Sequence, residues 1–262
     1  MVVTTQAGSP ALDQETFTRD GVLPWGPFLA PGELTTVRAA LDRQFFPGTD
    51  GGVAAGVRDL SEHRGQPLRY AMLQKVDLWR TDPVFSALVT RPAVVSRVEH
   101  LLGGPVRILR DHAFYKPPGK GDASRLALHQ DNRYWHLEPP AAATVWVALD
   151  DATVDNGCVH YVLGSHRRGR IDHVRAHPDA VVVEVISDEP AVPYPVPAGH
   201  ALIHHAQVVH GSPPNRTDRP RRAYCIVYMR ADIQQRGEPV TGYPLAAELA
   251  GAGTATELPE SP

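Results

Sequence analysis

Cysteine, methionine and any surplus of one charge are scarce in this chain. Two cysteines among 262 residues, Cys158 and Cys225, cannot build a disulfide framework and point to a reducing compartment. The 26 basic and 29 acidic residues give a formal net charge of -3, no electrostatic footprint for nucleic acid or an anionic membrane. No apolar run approaches the roughly 18–20 residues a membrane helix needs. The opening "MVVTTQAGSPALDQ" has neither the basic n-region nor the apolar h-region of a secretory signal. These absences predict a cytoplasmic protein with a small-molecule partner, no nucleic acid and no membrane.

What is present reads as an ordinary globular chain, 42% hydrophobic and 21% charged. Its length and the lack of internal repeats or linkers predict one domain over residues 1–245, with 1–10 disordered and 246–262 a flexible, small-residue tail. "SPALDQETFTRDG" reads as a helix closed by Gly21. "APGELTTVRAALDRQF" reads as a second, with Leu34, Val37, Leu41 and Phe45 near helical spacing. "DPVFSALVTRPAVVSRVEHLLGG" gives two more helical pieces broken at Pro92. After residue 100 the period changes. "VRILRDHAFYKPP", "SRLALHQD", "ATVWVALDD", "GCVHYVLG", "AVVVEVIS", "HALIHHAQVVHG" and "RRAYCIVYMR" are short, alternating or β-branched, and set apart by turn residues. Helices followed by about seven such strands predict an antiparallel sandwich or barrel behind a helical layer.

Thirteen histidines stand beside three methionines. In "LALHQDNRYW", His129 and Asp131 sit two apart, so a strand would project them together and turn Gln130 away. A third ligand must come from a distant strand, and His210 offers one. Two imidazoles and a carboxylate leave about three positions open on an octahedral ion, the facial arrangement of non-haem Fe(II) oxygenases. Of the adjacent pair His204 and His205, strand parity lets only His204 share a face with His210. A zinc site on His204 and His210 lacks signature spacing, so packing or surface roles are expected of both neighbours.

"FYKPPGKGDASRLALHQDNRYWHL", "TVWVALDDATVDNGCVHYVLGSH" and "AGHALIHHAQVVHGSPPNRTDRPRRA", in that order, resemble the phytanoyl-CoA dioxygenase family from about Thr16 to Met229. The resemblance implies an α+β protein with a mainly β core. Its core would be a double-stranded β-helix (jelly roll) with N-terminal helices packed on one face. It implies an enzyme using Fe(II), 2-oxoglutarate and O2, with His129, Asp131 and His210 as iron ligands. By the same resemblance Arg221, eleven residues after the last histidine, grips the distal carboxylate of 2-oxoglutarate, as a planar guanidinium can. Ser212 would hydrogen-bond that carboxylate, and Trp146, Lys75 and His112 would line the cosubstrate pocket, although histidine is not the type expected at 112. Arg222 is expected on the other face, at the surface. His200 departs from the family in a turn where relatives carry an acidic residue.

Relatives that halogenate replace the iron carboxylate with a small residue. Asp131 is intact, which favours hydroxylation or a related oxidation. Asn132, Tyr134 and Trp135 are candidates to wall the substrate pocket. No basic cluster suits the phosphates of a CoA thioester, and the Ala-, Arg- and Pro-rich composition suits tailoring of a natural product. A metal-dependent hydrolase or isomerase on the same barrel is the competing reading, and it would leave Arg221 and Ser212 without a ligand. An idle binding domain is disfavoured by the complete triad.

Overall fold

The computed structural model describes residues 10–48, 52–61, 70–174, 184–240 and 243–251. Of the disorder expected at residues 1–10, residues 1–9 lie outside that set, as does the tail after 251, while Pro10 opens the first helix. Four helices form the expected N-terminal layer: α1 (Pro10–Asp20), α2 (Pro31–Phe45), α3 (Pro83–Val89) and α4 (Pro92–Leu102). Each starts on proline, whose missing N–H costs nothing in a first turn. α2 is pinned by the Ala30 N–H donating to the Glu33 carboxylate (2.9 Å), and α3 by Val84 N–H donating to Asp82 (3.0 Å).

Behind this layer lie two antiparallel sheets. The larger joins β1 (Val22–Trp25), β2 (Arg58–Asp59), β3 (Leu73–Val76), β4 (Val106–Lys116), β7 (Ala142–Ala148), β10 (Ala201–His205) and β12 (Arg221–Arg230), in the order β1-β10-β7-β12-β4-β3-β2. The smaller joins β5 (Leu126–His129), β8 (Val159–Val162), β9 (Val192–Tyr194) and β11 (Val209–Ser212), in the order β5-β11-β8-β9. A third, small sheet pairs β6 (Leu137–Glu138), β13 (Gln234–Gln235) and β14 (Glu238–Pro239). The two main sheets make the double-stranded β-helix. Alternation along β12 shows how the sequence divides the layers. Tyr224, Ile226 and Tyr228 join the core under the helices with Phe45 and Phe85, while Ala223 and Cys225 pack between the sheets with Trp146 and Tyr161. Both cysteines are buried and unpaired.

Three expectations change. "HALIHHAQVVHG" is two strands, β10 in the large sheet and β11 in the small one, because the chain turns over at Ala206–Val208. "AVVVEVIS" yields only an isolated bridge between Val174 and Glu184, its residues 180–183 falling outside the described set. Residues Ala246–Gly251, assigned to the flexible tail, form a short helix, α6, with Ala246 fully buried in the core. The ordered chain therefore runs past residue 245. Among the described residues no helix is long and apolar enough to cross a membrane.

Candidate metal centre and cosubstrate pocket

His129 ends β5, His210 stands second in β11, and the two are register partners. Their rings leave the sheet together, with centroids 4.4 Å apart. A side chain on Gly211 would meet the Leu126 carbonyl oxygen at 2.8 Å, so only glycine lets the strands close here. Each imidazole reaches a backbone carbonyl two residues back through Nδ1, His129 to Ala127 (2.8 Å) and His210 to Val208 (3.0 Å). A carbonyl only accepts, so Nδ1 carries the proton and both Nε2 lone pairs face the centre.

Asp131 arrives by a different route from the one expected. β5 stops at His129, and Asp131 is helical (φ -57, ψ -42) at the head of a one-turn helix, α5 (Asn132–Trp135). A bend rather than strand parity brings Oδ1 to 3.5 Å from His129 Nε2 and 3.8 Å from His210 Nε2. Gln130 does turn away; its amide donates to the Gly169 (2.9 Å) and Gln207 (2.8 Å) carbonyls, pinning the bend. Donor atoms of His129, Asp131 and His210 all lie within 4.8 Å of one another. Two imidazole lone pairs and one carboxylate fit a divalent first-row ion with open positions on the far side. Burial pushes His210 down to about 3, keeping it neutral. Burial alone would raise the Asp131 carboxyl, but the hydrogen bond from His204 helps hold it well below the usual carboxylate range.

His204 has a role the sequence did not reveal. Asp131 Oδ2 accepts from Thr144 Oγ1 (3.1 Å) and from His204 Nε2 (3.3 Å), while His204 Nδ1 accepts from the Tyr161 hydroxyl (2.9 Å). This tautomer is opposite to that of His129 and His210: the nitrogen nearest the centre bears the proton. His204 is thus a donor to the carboxylate and leaves Asp131 Oδ1 free. His205 packs against Phe17 and His166, as expected of it.

A cavity runs from the three candidate ligands past His112 and Trp146 to Ser212 and Arg221. Arg221 is 1% exposed, its guanidinium 5.7 Å over the Trp146 ring. Its Nη2 donates to the Gly157 carbonyl (3.2 Å) and approaches Ser212 Oγ (3.5 Å), and its buried Nε has no partner. Behind Ser212 stands Lys116, fully buried, donating to Ser212 Oγ (2.6 Å) and to the Ser212 (3.2 Å) and Pro213 (2.6 Å) carbonyls. Because Ser212 Oγ accepts from Lys116, its own proton is free to be donated. Burial, then the neighbouring Arg221, lowers the Lys116 ammonium well below its usual value. No carboxylate of a described residue is paired with either cation, so this end of the cavity fits an anion from outside. Lys116 was missed because a lysine before Pro117 reads as an exposed strand end.

Three of the remaining expectations move. Lys75 faces away: its register partner Ala113 lies in the helix-side core, and its Nζ donates to the Gln44 carbonyl (3.0 Å). Asn132 braces the loop, exchanging hydrogen bonds with Leu137 (2.9 and 3.1 Å), and lies away from the metal centre. Tyr134 and Trp135 do line a second cavity beside the centre. Arg222 is on the opposite face from Arg221 but is not a free surface residue; it clamps Asp150 (2.8 Å) and Asp42 of α2 (2.8 Å). His112 lines both cavities, driven down to about 3 by burial and so uncharged.

The jelly roll thus gathers two imidazoles and a carboxylate beside an anion-accepting pocket. The chain is a member of the phytanoyl-CoA dioxygenase (PhyH) family, whose profile matches residues 17–223. Phytanoyl-CoA dioxygenase domain-containing protein 1 of Mus musculus is 34% identical over 160 residues, 57% of this chain and 54% of the mouse protein. L-proline trans-4-hydroxylase of Streptomyces griseoviridis is 31% identical over 173 residues, 57% of this chain and 64% of that enzyme. The chain thus spans about half the length of the curated relatives it matches. Among solved structures, the non-haem α-ketoglutarate-dependent epimerase SnoN from nogalamycin biosynthesis superposes with a TM-score of 0.71 at 25% identity, over 91% of this chain and 98% of SnoN. EvdO2 from Micromonospora carbonacea var. aurantiaca, complexed with 2-oxoglutarate, gives 0.68 at 27% identity, over 92% and 97%.

Proposed function

We propose that this chain oxidises a small organic substrate at Fe(II) held by His129, Asp131 and His210, consuming 2-oxoglutarate and O2 and yielding succinate and CO2. The observation that carries the reading is the buried Arg221 guanidinium beside Lys116 at the far end of the metal cavity, with no carboxylate of a described residue paired to either. A dicarboxylate long enough to reach the metal at one end would meet them at the other. When bound, iron supplies the redox chemistry with dioxygen.

The chain supplies binding and order. Arg221 and the Ser212 hydroxyl hold the distal carboxylate, with Lys116 fixing the hydroxyl's direction. Trp146 walls the pocket and stacks under the guanidinium. His204 and Thr144 hold Asp131 Oδ2 so that the carboxylate presents one oxygen. Neutral His112 adds no rival charge. Tyr134 and Trp135 stand where substrate would approach. The intact carboxylate at 131 supports hydroxylation or a related oxidation over halogenation. The likeness to SnoN, from nogalamycin biosynthesis, supports a role in natural-product tailoring. Two unpaired cysteines support a cytoplasmic place of action.

The test is calorimetric titration of 2-oxoglutarate into the anaerobic Mn(II)-loaded protein, followed by succinate measurement with Fe(II) in air. The expected result is stoichiometric binding that needs the metal, and succinate that vanishes in His210→Ala. Metal binding without any 2-oxoglutarate binding would refute the reading and return the hydrolase alternative.

A further inference from the structure

β4 sends alternate side chains into the space between the sheets: Arg110, His112, Phe114 and Lys116 face inward, while Asp111, Ala113 and Tyr115 face the helices. Lys116 stands at the cosubstrate end of this row. Arg110 lies six residues away, about 20 Å along the strand. Between them sits the metal centre. Beyond it opens a second cavity, which shares His112, Phe114, Leu126, His129 and Asp131 with the first.

The wall of this outer cavity is cationic on one side. Arg58 pairs with Gln74, and Gln74 with Phe114, so these three side chains form one row across β2, β3 and β4, with Arg110 farther along β4. Arg110 is half-buried, and no hydrogen bond or ion pair joins it to a described residue. Two other partly buried arginines do have carboxylates: Arg97 has Asp13 (2.6 Å), and Arg222 has Asp150 and Asp42 (both 2.8 Å). Among the described residues the one carboxylate lining the outer cavity is Asp131, which is committed to the metal centre. A guanidinium partly withdrawn from water, without an acceptor and facing a cavity, is a fork waiting for a carboxylate. Opposite it lie apolar and aromatic surfaces from Leu126 and Trp135.

We propose that the outer cavity selects an organic acid, its carboxylate gripped by Arg110 with Arg58 at the rim and its apolar or aromatic body laid against Phe114, Leu126 and Trp135. This deepens the oxygenase reading and rests on it for the fate of the bound acid; the binding itself does not.

The experiment uses the full chain under anaerobic conditions, loaded with Mn(II) and saturated with 2-oxoglutarate so that acids cannot enter the Arg221 pocket. Matched probes are titrated by calorimetry: 4-phenylbutyrate with 4-phenylbutyramide, indole-3-propionate with its amide, and decanoate with decanamide. At least one acid is expected to bind tenfold or more tightly than its amide, with affinity falling as salt rises. Arg110→Gln should erase that preference and Arg110→Lys should keep part of it, with the affinity for 2-oxoglutarate and the melting temperature unchanged. Equal binding within every pair, no binding of any acid, or an acid preference that survives Arg110→Gln would overturn the proposal. If 2-oxoglutarate fails to bind while an Arg110-dependent acid preference is present, the oxygenase reading falls and the anion site stands.

Discussion

Replacing Arg221 by methionine should stabilise the ligand-free protein and at the same time end its use of 2-oxoglutarate. Burial lowers the Arg221 guanidinium from its ordinary value to about 10, a bias against the charged form on the order of 3 kcal/mol. At pH 7 arginine is charged in both the folded and unfolded chain, so the penalty is present in full and is relieved only above about pH 10. Methionine fills the space of the aliphatic stem. It gives up the hydrogen bond to the Gly157 carbonyl, worth about 1 kcal/mol. The net gain is about 1–3 kcal/mol, or roughly 2–12 °C in melting temperature. The bound carboxylate, left without its partner, loses about 2–5 kcal/mol, a roughly 30- to 5,000-fold weaker dissociation constant. Arg222→Met should do the reverse, lowering the melting temperature through loss of Asp150 and Asp42 while leaving 2-oxoglutarate affinity intact. Scanning calorimetry of the apo proteins and titration of their Mn(II) forms give both readouts. An Arg221→Met protein that melts lower and still binds 2-oxoglutarate normally would refute the argument.

His204→Phe keeps the packing but removes the donor to Asp131 Oδ2, and should weaken Co(II) binding by roughly 10–100-fold; unchanged affinity would show that Thr144 alone holds the carboxylate. Asp111, on the helix side of β4, accepts from the Tyr224 hydroxyl (2.6 Å) and the Trp79 N–H (2.9 Å), and burial raises it from 3.8 to about 7. The folded state holds that proton more tightly than the unfolded chain, so its contribution is fully present below pH 3.8 and is lost as pH rises through about 7. Urea unfolding should therefore show the stability of the native chain relative to Asp111→Asn falling between pH 5 and 8; a flat difference would sink the assignment. Gly211→Val should push β11 off the Leu126 carbonyl and abolish Co(II) binding, and a variant that retains both metal and melting temperature would contradict the close approach.

The sequence made the scaffold legible where one local rule sufficed. Proline at the start of each of the four N-terminal helices, the break at Pro92 and the alternation of "RRAYCIVYMR" all specify elements without help from distant residues. His129, Asp131 and His210 also come together as expected, yet the geometric reason given for Asp131 was wrong. Gln130 bonds to the Gly169 and Gln207 carbonyls and Asn132 to Leu137, and these contacts bend the chain out of the strand extrapolated through residue 131. Lys75, Lys116 and His204 were misplaced or missed for another reason. Which face each occupies depends on pairing with Ala113, on Ser212 and on Asp131, partners 38 to 96 residues away along the chain. No local pattern carries that information.

The register pairing of His129 with His210 also makes the centre a check on assembly. Side chains alternate with period two, so a one-residue slip of β5 against β11 would swing His129 away and point Gln130 or Leu128 inward. A chain misregistered in its small sheet could still bury most of its apolar residues and pass for folded by bulk spectroscopy. It could not chelate. Metal uptake after refolding therefore counts correctly threaded molecules one by one, and iron supply during synthesis would trap the native pairing as it forms.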